Sequence, residues 1–296
     1  MVDLFFIMEQ MTWYSLALIS SFFLSLRELA FKRWGRNLPT VYMSWGLNGF
    51  VFLILTAVNL ALGNTHPITL EFSGILLAAA LMDTTAALLY LEAIRRGELS
   101  RTVPMLCFIP VVQLFVTPAL VQEQLSWVGI AGVLLVVLGS YLLNIRDRRD
   151  PTAPLRQILE PGPTRMMLMV ALIWGISSSF HKMGVQRTDA LFWGLCEMGL
   201  ITLFLFPFAA QKKGDWYAWE NLKQPLKPAL FSTVAVLTYY LAINQGPVAY
   251  VSALRRLGVL FSMGLGIWFL KEATGRGNLM GGAMMVAGAV VICLFG

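Results

Sequence analysis

Apolar residues in this chain come in runs of about twenty, each bounded by Gly, Pro or charge, which is the length a helix needs to cross a bilayer. Ten runs can be marked, at 12–33, 39–62, 72–95, 99–121, 125–145, 165–186, 190–210, 227–245, 248–270 and 276–295. The widest polar break, Arg146–Arg165, holds four prolines and divides the spans five plus five. No basic region followed by a cleavage site precedes the first run, so it reads as a retained span and not a signal peptide.

The stretch from Tyr90 to Gly139 occurs twice. Adding 149 to Tyr90, Ala93, Ile94, Gly97, Glu123, Gly132, Val137 and Gly139 gives Tyr239, Ala242, Ile243, Gly246, Glu272, Gly281, Val286 and Gly288. Eight identities at one ungapped offset mark a duplication. Five spans per copy is an odd number, so the second copy must enter the membrane upside down. The expected fold is an all-α integral membrane protein with ten transmembrane helices in two inverted five-helix repeats. The first repeat would take 1–145 and the second 165–296, joined by a basic cytoplasmic linker at 146–164.

Composition agrees with a membrane protein. The 296 residues are 57% hydrophobic and 13% charged, with mean hydropathy +0.70, against roughly 25% charged in soluble domains. The net charge of +6 is split among short connectors, which indicates topology and excludes a nucleic-acid face. Connectors after odd-numbered spans carry seventeen Lys and Arg, from Lys32 to Arg276, against Arg187 alone on the other side. The odd connectors should therefore be cytoplasmic and both termini outside, periplasmic for an inner (plasma) membrane. Trp34, Trp216 and Trp219 would mark the inner interface, Trp13 and Trp127 the outer. Cys107, Cys196 and Cys293 lie in apolar runs without metal-ligand spacing and read as packing residues.

Gly258, Ser262 and Gly266 recur every four residues on span nine, a stripe that admits a close helix neighbour. Gly277 and Gly281 begin a similar one on span ten. Span four carries Pro104, Pro110 and Pro118, and span nine has no proline at the matching positions. The two halves are thus expected to bend differently. Glu123 and its repeat mate Glu272 end spans four and nine, where capping chemistry is the expected role.

Each unit has Tyr-x-x-Ala-Ile-x-x-Gly leading into a long span that ends in Glu before a Gly-rich last helix. This order resembles the drug/metabolite transporter superfamily, and within it the EamA-type proteins. Ala-Leu-Ile-Trp-Gly at 171–175 strengthens the likeness, although the first copy has Ser20-Ser21 in place of the Trp-Gly pair. The resemblance implies a ten-helix carrier with a central cavity lined by spans one to four and six to nine, with spans five and ten supporting it. Such proteins move small metabolites, amino acids, nucleotide sugars or drugs, often outward. Family members are usually drawn with cytoplasmic termini, the reverse of what the charge count gives here.

Charged and ionisable groups inside spans are costly, roughly 2.5–3.5 kcal/mol each at the bilayer centre, and are kept where they pair or meet water. They are Arg27 and Glu28 on span one, Asp83 and Glu92 on three, His181 and Lys182 on six, Glu197 on seven, and Arg255 and Arg256 on nine. All lie on spans that the resemblance places around the cavity. At about 1.5 Å per residue, Lys182, Glu197 and Arg255 form one layer in the outer half. Arg27, Glu28 and Glu92 form another near the inner ends, and Asp83 falls near the middle. Plainer roles stand beside these. Arg27 and Glu28 point about 100° apart, so one of them pairs with another helix. Either arginine on span nine can balance Glu197, and Glu92 can pair with Arg95 or Arg96. His181 is either a hydrogen-bonded core residue or a proton-responsive group. Lys182 can snorkel to the surface. Tyr90, Tyr239, Tyr240, Trp174, Trp193 and Asn244 are candidates for aromatic and amide contacts with a cargo, and Ser177, Ser178 and Ser179 for helix packing.

The leading reading is a secondary active transporter, an exporter or exchanger of a small polar, charged or zwitterionic metabolite. It would work by alternating access around a midplane site between the repeats. Arg255 and Arg256 would meet an anionic group, while Asp83 or Glu197 meets an amine or carries a coupling proton. The alternative is a flippase for a lipid or lipid-linked precursor with an anionic headgroup. There is no HExxH, Gly-x-Ser-x-Gly, Walker motif or paired metal ligand, so no enzyme, cofactor or metal is expected. The expected partners are a small-molecule substrate and membrane lipid, with the chain a monomer or homodimer.

Overall fold

A computed structural model describes residues 12–34, 38–97, 102–144, 162–211, 219–270 and 278–296, and every regular element among them is a helix. The elements are α1 (Trp13–Trp34), α2 (Thr40–Leu62), α3 (Leu70–Arg96), a 3-10 segment (Val103–Phe108) leading into α4 (Ile109–Val121), and α5 (Trp127–Asn144). The second half has α6 (Pro163–Arg187), α7 (Ala190–Ala210), α8 (Leu226–Gln245), α9 (Val248–Arg255), α10 (Gly258–Leu270) and α11 (Asn278–Phe295), with one helical turn at Trp219–Leu222. Among the described residues eight segments are long and apolar enough to cross a membrane, and Trp127–Leu143 and Met280–Phe295 are shorter apolar helices. Large apolar side chains face outward along many of them, as at Leu53, Leu60, Phe115, Leu203 and Leu294, a surface suited to lipid and not to water. The expected linker core, Glu272, Gly277 and most of the basic connector residues lie outside the described residues.

Local chemistry sets the helix ends. Gly63 closes α2 at φ +63°, and its N–H bonds back to Asn59 and Leu60 carbonyls, a conformation glycine adopts without a Cβ penalty. Asp189 opens α7 by accepting from the Leu191 and Phe192 N–H groups at 2.7 and 2.9 Å. Glu123 caps across space. Its two oxygens accept from the Val248 N–H at 3.0 and 3.1 Å, where Pro247 at the start of α9 offers no side-chain cap.

Spans four and nine each depart from regular α-helix. Val103–Phe108 in span four is 3-10 helix. In span nine α9 stops at Arg255, and the Arg256 and Leu257 N–H groups bond to the carbonyls three residues back, at 3.0 Å each. Adding 149 to 103 and 108 gives 252 and 257; residues 252–255 are still α-helix, so the interruption of span nine falls at the end of the equivalent stretch. Proline accompanies the feature in span four and is not needed for it in span nine.

Two compact units are distinguished, residues 1–84 with 180–245, and residues 85–179 with 246–296. Each draws helices from both halves of the sequence. In the first, α8 packs on α1 and α2, and α7 on α2; in the second, α11 packs on α5, and α9 on α4 and α5. The α5–α11 contact is made by the repeated glycines. A Cβ on Gly139 would come 2.6 Å from the Gly281 carbonyl oxygen, and one on Gly288 would come 2.6 Å from that of Gly132. The pairs 132/288 and 139/281 run in opposite directions along two antiparallel helices. They are what the duplicated glycines of the sequence are for.

Candidate functional site

Four helices of the first unit bring ionisable groups together. Asp83 lies mid-way along α3, His181 and Lys182 near the end of α6, Glu197 on α7, and Tyr240 on α8. His181 Nε2 is 3.0 Å from Asp83 Oδ2, and its Nδ1 is 3.4 Å from Glu197 Oε1. The Tyr240 hydroxyl donates to Glu197 Oε2. The imidazole is thus held between two carboxylates from two other helices, and one of these is anchored from a fourth. The site is deep, with Glu197 1% exposed and His181 6%.

Aromatic rings wall the cluster. The Trp193 ring stands edge-on to His181 at 6.0 Å between centroids, and that of Tyr240 is tilted against it at 5.6 Å. Tyr239 packs on Tyr240 at 5.4 Å. Trp193 fits because Gly184, one turn past His181, has no side chain: a Cβ there would come 2.0 Å from the indole ring. Trp193 is fully buried and has nowhere to retreat.

Around this cluster polar atoms are left unmatched. His181 Nδ1 and the Trp193 indole N–H are buried without a hydrogen bond. An unmade hydrogen bond at a buried group costs about 1–3 kcal/mol.

The other sequence candidates lie elsewhere. Arg27 and Glu28 form their own ion pair at 3.7 Å, with side chains 30% and 55% exposed. Glu92 pairs with Arg95 at 2.6 Å and with Arg96, as the helical spacing predicts. Tyr90 and Trp174 pack on each other at 5.7 Å, in a core of Ala86, Ala93, Met105, Met167 and Val170 in the second unit. Arg255 and Arg256 also belong to that unit, at the interruption of span nine. Lys182 is buried in the first. Ser178 bonds the Trp174 carbonyl at 2.6 Å and accepts from Gln113 at 2.7 Å, a packing role.

Two features escaped sequence reading. Tyr240 was visible only as one aromatic among many, since nothing local links it to Glu197, 43 positions away. The second is a set of contacts between the 2–3 and 6–7 connectors. Asp189 Oδ2 accepts from Asn64 at 2.7 Å and meets His66, and Arg187 pairs with Glu71. Only the capping half of Asp189, an acid just before an apolar run, has a sequence signal.

The family model described as the EamA-like transporter family matches residues 11–145 and 165–294. No curated protein matches the sequence. A protein of known crystal structure has the same fold, with a TM-score of 0.78 over 95% of this chain and 96% of that one, at 14% identity. With both halves of the sequence matched, the chain belongs to the EamA-like transporter family, in the drug/metabolite transporter superfamily, and is a multi-pass membrane transporter.

Proposed function

We propose that this transporter is a secondary active carrier, an exporter or exchanger, for a small polar metabolite that bears a positive or zwitterionic group. The observation that carries the reading is the buried Asp83–His181–Glu197 cluster. Two acids and one imidazole lie together in a low-dielectric place. Such a site is stable when a cation comes to it, either an amine on the cargo or a coupling cation such as a proton. Alternating access, with the loaded site reached from one side at a time, follows the general logic of duplicated carriers.

The test is thermal stabilisation of purified protein across amino acids, amines, nucleotides and lipids. A ligand at 100 times its Kd stabilises the state it binds by about 2.7 kcal/mol. Stabilisation by amines or zwitterions that Glu197→Gln removes supports the carrier. Stabilisation by anionic lipids alone, unchanged by Glu197→Gln, replaces it with the flippase.

The same reading places odd-numbered connectors in the cytoplasm and both termini outside. Alkaline phosphatase fused after Gly296 should be active, and green fluorescent protein at the same site dark. Both signals reverse if the termini are cytoplasmic.

A further inference from the structure

The cluster that receives a cation also has the donor set of a metal centre. Asp83, His181 and Glu197 each offer one ligand atom, and the three atoms lie within 4.8 Å of one another. Nδ1 of the buried His181 makes no hydrogen bond, although Glu197 Oε1 is only 3.4 Å away. Metal–ligand bonds of about 2.0–2.1 Å at tetrahedral angles put neighbouring donors roughly 3.3–3.4 Å apart. The Nδ1–Oε1 edge has that length. We propose that Asp83, His181 and Glu197 bind a first-row divalent transition-metal cation, and that this is the cation the carrier's charged site takes.

The chemistry of each group fits. Nε2 lies 3.0 Å from Asp83 Oδ2, and Nδ1, which makes no hydrogen bond, carries the lone pair that a cation needs in the tautomer protonated at Nε2. Tyr240 donates to Glu197 Oε2, which fixes the carboxylate and presents Oε1 toward Nδ1. Two carboxylates and a neutral imidazole sum to a charge that one divalent ion cancels, so no further buried charge is required. A nitrogen with two oxygens suits manganese, iron, cobalt or zinc, whereas magnesium and calcium prefer oxygen alone. No sequence motif announces the set, because the ligands come from α3, α6 and α7 and share no short spacing.

The proposal rests on the carrier reading for the ion's role, and its test reads binding alone. Tag-free protein, stripped with a chelator and held in detergent, is titrated with Co2+. The visible d–d bands of coordinated cobalt should saturate at one equivalent and be displaced by Zn2+. His181→Gln and Glu197→Gln should each weaken binding at least about 100-fold, and Tyr240→Phe about 10-fold, as removal of an orienting partner does. His66→Gln, which alters the other histidine beside an acid, should leave binding unchanged. The proposal is overturned if the wild-type protein shows no cobalt band, if the band survives both ligand variants, or if His66→Gln removes it. The wild-type titration decides even where a variant does not fold. No cobalt band with cargo transport intact refutes the metal and leaves the carrier. A cobalt band with no transport of any cargo refutes the carrier and leaves the metal site.

Discussion

Gly139→Leu should fail to accumulate as folded protein, and Gly139→Ala should be less stable than the parent by about 1–3 kcal/mol, the usual cost of overpacking. The obstacle is backbone. A Cβ at Gly139 would come 2.6 Å from the Gly281 carbonyl oxygen and 2.8 Å from the Met285 backbone nitrogen. A flexible side chain could swing away from such a contact, but α11 would have to move as a whole. Within a membrane, helix pairs are held largely by close van der Waals approach and not by expulsion of water. Withdrawal therefore loses contacts along the whole of α5 and α11. Gly288→Ala should behave alike, since its Cβ would come 2.6 Å from the Gly132 carbonyl. The double variant Gly139→Ala/Gly288→Ala should cost less than the two single changes added, because one displacement of α11 relieves both clashes. Gly74→Ala supplies the contrast. No heavy atom lies within 4 Å of a Cβ there, and alanine gains about 0.5–1 kcal/mol over glycine inside a helix. Melting followed by fluorescence-detected size exclusion in detergent compares them. Equal stability of Gly139→Ala and Gly74→Ala would show that the two helices do not rely on glycine contact.

These glycines also show what a single sequence carries. Gly132, Gly139, Gly281 and Gly288 were legible as repeat identities before any contact was known, and their offset already implied a shared structural duty. The ten spans were legible for the same kind of reason. A hydrocarbon layer imposes one length on every crossing element, so runs and polar breaks locate helices to within a few residues. The interruption of span nine was not legible. It contains no proline, and its local signal, Gly258 after Arg255, Arg256 and Leu257, reads equally as part of a small-residue packing stripe. It falls at the end of the stretch equivalent to the 3-10 segment in span four, a likeness of the two halves that proline does not mark.

The site was half legible. Asp83, His181 and Glu197 stood out because ionisable groups in apolar spans are expensive, but depth estimates put Asp83 apart from the outer layer and paired Glu197 with an arginine. The structure sets both acids on His181, a residue with an ordinary core reading. Side-chain pairing across helices depends on each helix's rotation about its axis, and a run of apolar residues fixes that rotation weakly when lipid and protein interior are both apolar. Lengths are therefore read more surely than partners.

Glu197→Gln and Asp83→Asn should each lower transport by about 100- to 1,000-fold in reconstituted vesicles while leaving the protein folded. That loss corresponds to about 2.7–4.1 kcal/mol on the limiting step, since each 1.36 kcal/mol is a factor of ten in rate. Glutamine keeps the volume of Glu197 and can still accept from Tyr240, so α7 and α8 stay joined while the charge is lost. Both acids meet one imidazole and each other. The double variant should accordingly be little worse than either single one, as for residues that work as a unit. Tyr240→Phe removes the anchor and keeps the charge, so its loss should be smaller than that of Glu197→Gln. Glu92→Gln marks the baseline. Its partners Arg95 and Arg96 have side chains 69% and 61% exposed at the end of α3, where such pairs contribute little, and transport should stay within about twofold of the parent. Should Glu197→Gln carry cargo as well as Glu92→Gln does, the cluster is a packing device, and cation binding must be sought at another place in the fold.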